Sequence, residues 1–338
     1  MVWCIKVKKE DAESVRLQLI SEGLLDSMYA PKKDGKYVYF PILKKKEGYD
    51  IVEVELEHNK KRAKSLLDEL KVELSPAEVN KLIRSFDIIG DIAVIDVPNS
   101  LSGREHIIAS ALQKIHHNVK VVAKKIGATQ GEYRIRPVEV IAGPNRTTTV
   151  HKESGCKFEL DINKVYFSPR LSTERDRIAK LVKNDETVLV PFAGVGPFAI
   201  RIAKIVPSSK VVGIEINTDA IEYFKKNIKI NKVSNVSVIC GDVKEILPGA
   251  YVDWASRIVM PLPKDGTGFL PNIIPCLKKN GMLHYYSFED SSQPYKEAEL
   301  KILSAAEKLG RQAKIKFQRI VRPFSKNIVQ VVTDAEIG

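Results

Sequence analysis

Thr187-Val-Leu-Val-Pro-Phe-Ala-Gly-Val-Gly-Pro-Phe198 is the stretch on which the fold turns. Its first four residues lack polar alternation, as expected of a parallel strand covered on both faces. Gly194 and Gly196 follow where the strand gives way to a helix running to Ile205. Glycine at such a turn lets the backbone approach a ligand closely. Ala199 completes a G-x-G-x-x-A pattern, and Glu215 ends the next predicted strand, 21 residues beyond Gly194. An acidic side chain there can hold both hydroxyls of a ribose. NAD and S-adenosyl-L-methionine (AdoMet) sites share this much, and a packing turn without ligand also suits the glycines.

Outward from that stretch, strands and helices alternate. Thr173 is expected to cap a helix running to Val182. A strand spans Lys210–Ile216, a helix Ala220–Lys229 and a strand Val236–Cys240. Asp253–Val259 leads into another strand. This alternation predicts a doubly wound parallel sheet. A helix near 295–309 and strands near 313–321 and 327–333 would close it with an antiparallel hairpin, the usual finish of class I methyltransferases. The expected fold is therefore α/β: a class I Rossmann-like domain over 168–338, preceded by two smaller α+β domains over 1–65 and 66–167.

The first of these is read from Ile5-Lys-Val, a helix over Asp11–Glu22 stopped by Gly23, and strands at Lys36–Pro41 and Ile51–Leu56. The second is read from two short strands around Gly90-Asp91, a helix over Arg104–Ile115, and strands at Val119–Ala123, Arg134–Gly143, Cys156–Ile162 and Val165–Phe167.

With 54 Lys+Arg against 42 Asp+Glu the net charge is +12, a field that attracts polyanions. Lysines cluster at Lys44–Lys46, Lys60–Lys64 and Lys124–Lys125, which favours a nucleic-acid partner over general solubility charge. No run reaches the roughly 18 apolar residues of a membrane span. The opening residues have no secretory signal pattern, so a cytoplasmic protein is expected. Cys4, Cys156, Cys240 and Cys276 form no CxxC pair and have no histidine at metal spacing, so no metal is expected.

Two later loops favour AdoMet over NAD. Asp242 follows a strand in Cys240-Gly-Asp-Val243, where a carboxylate could bind the adenine amino group. Met260-Pro-Leu-Pro263 follows the next strand, at the sheet edge where α/β proteins bind substrates. It resembles the proline-stiffened loop of methyltransferases acting on amino groups of bases.

At Val165-Tyr-Phe-Ser-Pro-Arg-Leu-Ser-Thr-Glu-Arg175, followed by Phe192-Ala-Gly-Val-Gly-Pro-Phe198, the chain closely resembles the archaeal and eukaryotic tRNA (guanine-N1-)-methyltransferases acting at position 37. The resemblance covers most of the chain. It implies a tRNA-elbow-recognising domain at 1–65, a central RNA-binding domain and a catalytic domain that engages the anticodon stem-loop, working as a monomer. It matches Glu174 to a general base for guanine N1, and Arg134 to an arginine stabilising charge on O6. Pro261 falls in the catalytic loop. Tyr166, Arg175, Phe192, Ala193, Gly194, Gly196, Glu215, Ile216, Asp242, Val243 and Pro261 match the cofactor pocket. Arg134, Arg136, Arg170 and Lys264 are matched to RNA contact.

Two departures stand out. The family usually has Asp-Met where this chain has Val190-Pro191, which removes an acidic contact from the cofactor loop. The commoner catalytic loop is Asn-Leu-Pro, and here it is Pro261-Leu262-Pro263. Losing the asparagine removes a donor and an acceptor and leaves an apolar surface. That change resembles an archaeal subclass that also methylates C7 of 4-demethylwyosine to give isowyosine. The rivals are an AdoMet-dependent aminocarboxypropyl transferase of the wyosine pathway and a non-catalytic tRNA-binding protein. A dehydrogenase fits neither the loop after the fourth strand nor the charge.

Overall fold

The computed structural model describes residues 1–26, 28–57, 66–82, 86–127, 135–261 and 266–338, and its contacts divide the chain into compact units 1–74 and 75–338. In the first unit, β1 (Val2–Lys8), β2 (Lys32–Lys33), β3 (Tyr37–Pro41) and β4 (Ile51–Val54) form an antiparallel sheet ordered β2-β3-β1-β4. Helix α1 (Ala12–Ser21) buries Leu19 against Ile5, Val38 and Phe40. Gly23, at φ +67°, follows its end. A short α2 (Leu66–Leu70) completes the unit. Lys60–Lys64 lie outside the described residues.

The second unit opens with α3 (Pro76–Lys81), whose start is closed by a Ser75–Glu78 capping box. Strands β5 (Asp87–Ile89) and β6 (Ile92–Ile95) turn at Gly90-Asp91, and α4 (Glu105–Ile115) crosses over to β7 (Val121–Lys125), parallel to β6; β8 (Val138–Ala142) pairs at the far edge. A hairpin follows, β9 (Thr148–Glu153) and β10 (Cys156–Asp161). It holds the β5–β6 turn, since Arg146 grips Asp91 at 3.0 and 2.6 Å and Thr149 donates to the same carboxylate at 2.8 Å.

Next come α5 (Ser172–Leu181), β11 (Thr187–Pro191), α6 (Pro197–Ile205), β12 (Lys210–Glu215), α7 (Thr218–Asn231), β13 (Val236–Cys240), α8 (Val243–Ala250) and β14 (Ala255–Met260). The chain ends with α9 (Leu270–Ile273), β15 (Leu277–Asp290), α10 (Lys296–Lys308), β16 (Ala313–Pro323) and β17 (Ile328–Ile337). The seven strands lie in the order β13-β12-β11-β14-β15-β17-β16. The first five are parallel, and β17 runs antiparallel to β15 and β16. This is the expected class I architecture with its terminal hairpin. In β11, Val188 and Val190 join one core and Leu189 the other, so the absence of polar alternation reflects burial on both faces. Ile92, Val94 and Val121 of the smaller sheet share a core with Phe158, Leu160 and Val188. The domain boundary expected between 167 and 168 lies inside the compact unit 75–338.

Some local readings are corrected. Val165–Phe167 is not a strand, and its backbone leads into a 3-10 turn over Pro169–Leu171. That turn runs straight into α5 from Ser172, so Thr173 sits inside the first turn and Leu171 is the N-cap residue. Strands β9 and β15 and helix α8 were not anticipated. Lys278-Lys-Asn-Gly281 in β15 and Pro248 in α8 disguise the last two.

Helix α7 braces the glycine turn from behind. Gly196 has φ +86°, and a Cβ there would stand 2.1 Å from the Phe224 ring. Asn227 and Asn231, one turn apart on the same helix, finish the edge of β10. Asn227 accepts from the Glu159 N–H at 2.7 Å and donates to its carbonyl at 3.1 Å; Asn231 does the same for Lys157 at 2.9 and 2.6 Å. Asn227 also donates to the Val195 carbonyl at 3.1 Å, which ties the turn to the hairpin. These amides supply what a third strand would otherwise provide.

A buried polar chain crosses the sheet. Arg257 on β14 forms a bidentate pair with Glu186 at 2.8 and 3.1 Å and contacts His284 Nε2 at 2.7 Å. A guanidinium only donates, so His284 accepts at Nε2 and donates from Nδ1 to Asp334 at 2.7 Å. The imidazole is therefore neutral, and burial pushes its pKa down against the pull of Asp334.

Two outcomes follow from this packing. Gly196→Ala places a methyl on Phe224 in a left-handed backbone, which should cost roughly 2–4 kcal/mol and lower the melting temperature. An unchanged melting curve would contradict the fit. The unfolded chain protonates His284 below about pH 6.5 whereas the folded state resists, so its contribution to stability is lost as pH falls from there. His284→Gln keeps one donor and one acceptor and should flatten the fall in melting temperature from about pH 7 to about pH 5. Equal slopes in both proteins would refute this.

Candidate active site

Three strand ends meet where the sheet order reverses beside β11, the position at which open α/β sheets bind ligands. Gly194, at φ +55°, donates its N–H to Glu215 Oε2 at 2.7 Å, and Glu215 Oε1 accepts from Ile216 and Asn217 at 3.1 and 3.0 Å. Burial raises the Glu215 pKa, opposed by these three N–H groups. Gly241 N–H donates to the Glu215 carbonyl at 2.9 Å, which places Asp242 at the same edge. Asp242 caps α8 by accepting from Lys244 N–H at 2.8 Å, while Val243 is buried in the core behind it.

Phe192 closes one side of this corner. Its φ is +59°, a strained value for a residue with a side chain. Its ring packs edge-on against Phe269 at 4.8 Å, and Lys244 lies 4.9 Å over Phe269. The sequence reading did not include Phe269. Ala193 is buried and bonds Ile214, joining the turn to β12. Tyr166 is 39% exposed, and its carbonyl lies 3.7 Å from the place a Cβ on Gly194 would take. A ligand with a ribose fits here, because a buried carboxylate, an open glycine turn and a second carboxylate converge. Val190, one of the two departures noted above, is fully buried in the core, so this position serves packing.

Several of the remaining expected residues have partners of their own. The Arg175 side chain is buried in a bidentate pair with Glu153, donates to the Ser168 carbonyl at 3.0 Å, and lies against Phe167 and Phe198. It fastens α5 to the β9–β10 hairpin. Arg170 pairs with Asp87 at 2.6 Å, and Arg136 pairs with Asp96 at 3.1 Å. Pro261 is half-buried at the end of β14. Arg134 and Lys264 lie outside the described residues.

Glu174 is the most enclosed of the expected residues, with no exposed surface. Arg177 Nε reaches both its oxygens at 3.2 and 3.0 Å, the Tyr286 hydroxyl donates to Oε2 at 2.8 Å, and Arg319 stands 3.0 Å from Oε1. Arg177 in turn binds Asp334 at 2.6 Å. Tyr286 ties this group to the parallel sheet, and burial, then Glu174, holds its pKa well above the ordinary phenol value. A cavity of about 640 Å³ is lined by Tyr166, Phe288, Phe324, Lys125, Arg136 and Arg322. Aromatic faces among cations suit a nucleobase and its phosphates.

Comparison with known proteins accords with this geometry. The TRM5/TYW2 methyltransferase domain family matches residues 149–316, the TYW2 N-terminal domain 66–147, and the tRNA methyltransferase 5 N-terminal domain 4–50. The tRNA (guanine(37)-N(1))-methyltransferase Trm5b of Pyrococcus abyssi is 39% identical over 339 residues, spanning 100% of both chains. The tRNA (guanine(37)-N(1))/4-demethylwyosine(37)-methyltransferase Taw22 of Nanoarchaeum equitans is 33% identical over 60% of this chain and 84% of its own. A tRNA(Phe) (4-demethylwyosine(37)-C(7)) aminocarboxypropyltransferase of Methanocaldococcus jannaschii is 30% identical over 73% of this chain and 96% of its own.

Among solved structures, wild-type Trm5b from Pyrococcus abyssi superposes with a TM-score of 0.77 at 38% identity over 100% of both chains. The complex of aTrm5 and tRNALeu gives 0.72 at 30% identity over 99% of both. Methanocaldococcus jannaschii TYW2 in complex with AdoMet gives 0.59 at 26% identity over 75% of this chain and 99% of its own. The chain belongs to the TRM5/TYW2 methyltransferase family.

Proposed function

We propose that this protein is an enzyme that transfers the methyl group of AdoMet to the purine at position 37 of tRNA. N1 of guanine is the first acceptor and C7 of 4-demethylwyosine the second. The observation that carries this is the end-to-end match to a tRNA (guanine(37)-N(1))-methyltransferase, joined to a glycine turn, Glu215 and Asp242 held at adjoining strand ends. We further propose that it acts on tRNA as a monomer in the cytoplasm and needs no metal. Among the described residues no helix is long and apolar enough to cross a membrane.

AdoMet supplies an electrophilic methyl group. The chain's own residues bind, orient and move a proton. Glu215 receives the ribose hydroxyls, Asp242 the adenine amino group, and the Gly194 turn leaves room for the ligand. Guanine N1 keeps its proton at neutral pH and is then a poor nucleophile. Glu174 takes that proton, and Arg134 is the matching candidate for the charge that develops on O6. Pro261, at the end of β14, gives the acceptor an apolar wall in place of a polar amide. A flat tricyclic base is tolerated there better than beside an unpaired asparagine.

A second reading has one specific observation behind it, the 96% coverage of an aminocarboxypropyltransferase. That relative matches 73% of this chain, whereas the guanine methyltransferase matches all of it, including the N-terminal unit.

Nucleoside mass spectrometry of treated tRNA tests the function, using guanine or 4-demethylwyosine at position 37. The expected products are 1-methylguanosine and isowyosine, with S-adenosylhomocysteine released. Methylthioadenosine would establish the rival, and absence of both by-products would reject either enzyme. Glu174→Gln should slow single-turnover transfer to guanine by about 10²–10⁴-fold with AdoMet affinity kept. Glu215→Ala should weaken AdoMet binding by roughly 10- to 100-fold, as expected for losing charged hydrogen bonds. It should leave tRNA affinity unchanged, and calorimetric AdoMet binding equal to wild type would remove Glu215 from the site.

A further inference from the structure

Glu174 cannot reach a substrate as it stands. It is fully buried, and its two oxygens face Arg177, Tyr286 and Arg319. For the proton transfer assigned above to occur, one of these donors must leave. The three are not equally free. Arg177 is fixed at its far side by Asp334 at 2.6 Å and rests on the Phe317 ring at 5.0 Å. Tyr286 is fully buried in the central part of β15 and packs on Phe198. Arg319 is different. Its side chain is 34% exposed, it lies on the edge strand β16, and among the described residues Glu174 is its one ion-pair partner.

The strand around Arg319 suits RNA. β16 also carries Lys314, Lys316 and Arg322, with Phe317 and Ile320 exposed. Cations interleaved with exposed apolar side chains on an edge strand form a surface for a nucleic-acid backbone. A phosphate competes well for a half-exposed guanidinium, because the planar fork suits phosphate as readily as carboxylate.

We propose that Arg319 is a latch on Glu174 that bound tRNA opens: an RNA phosphate takes the guanidinium, and Oε1, left with only its 3.2 Å contact to Arg177, opens toward the substrate base. The latch rests on the reading of Glu174 as the proton acceptor. Its charge balance explains why it exists. Glu186, Asp334 and Glu174 are matched by Arg257, Arg177 and Arg319, with His284 neutral. Without tRNA the buried carboxylate is compensated. With tRNA one cation is withdrawn, and a carboxylate relieved of a cation is the stronger proton acceptor.

The test is a double-mutant cycle on tRNA affinity, read across a salt series. Glu174→Gln releases Arg319 in the free protein, so this variant should bind tRNA about three- to tenfold more tightly while losing activity. Arg319→Gln should bind more weakly, with a salt slope smaller by about one, and Arg319→Lys should keep the slope. The double variant should bind like Arg319→Gln alone. The latch is refuted if Glu174→Gln binds no tighter, if its gain persists without Arg319, or if Arg319→Gln leaves the slope unchanged. Should Glu174→Gln fail to fold, the Arg319→Gln and Arg319→Lys slopes still decide whether Arg319 meets a phosphate. Wild-type methyl transfer by Glu174→Gln would overturn the base assignment itself, and the transfer assay reads that separately from binding.

Discussion

Three carboxylates and three guanidiniums lie wholly or partly buried between α5 and the strands of the large sheet, and their charges must cancel. Removing a single partner would leave an uncompensated ion away from water, which is far more costly than the pair itself is favourable. Glu186–Arg257–His284–Asp334–Arg177–Glu174 runs from the start of β11 across β14, β15 and β17 to the first turn of α5. It fixes the rotation of α5 on the sheet, and with it the position of Glu174 against Tyr286 of β15 and Arg319 of β16. The one cation of this set on an edge strand is Arg319, where solvent and a polyanion can reach it.

The cofactor corner is built differently. It depends on backbone rather than on charge. The N–H groups of Gly194, Ile216 and Asn217 hold the Glu215 carboxylate in place before any ligand arrives. Behind them, Phe224 fills the space that Gly196 leaves, and Asn227 links the Val195 carbonyl to β10. The same β9–β10 hairpin grips the β5–β6 turn of the smaller sheet through Asp91. Cofactor turn, hairpin and smaller sheet are thus connected by hydrogen bonds that a rigid helix face, α7, organises.

By their names, Taw22 and the tRNA (guanine(37)-N(1))-methyltransferases differ in the base they accept, whereas the aminocarboxypropyltransferase differs in the group it moves. On the reading proposed above, the acceptor side of this chain is Pro261 and the cavity walled by Phe288 and Phe324. A pocket with apolar walls discriminates weakly by size, which is consistent with one family serving both a guanine and its tricyclic derivative.

The class of fold was written locally. A four-residue apolar strand, a glycine turn and an apolar helix face are set by near neighbours, and the covering of both sheet faces follows from the lack of polar alternation. The places of Glu215 and Asp242 were legible for the same reason, since one ends a strand and the other caps the helix that follows the next strand. What surrounds Glu174 was not legible. Tyr286 lies 112 residues away and Asp334 lies 157 residues from Arg177, so only the closing of the sheet brings them together. The neighbours Glu174 and Arg175 show the same limit at close range. Successive residues on a helix point about 100° apart, so Glu174 meets the sheet while Arg175 meets the hairpin through Glu153. Local sequence determined that an acid and a base stand side by side on α5. Which of them meets the sheet was decided by tertiary packing, because the helix can bury only one of those faces against it.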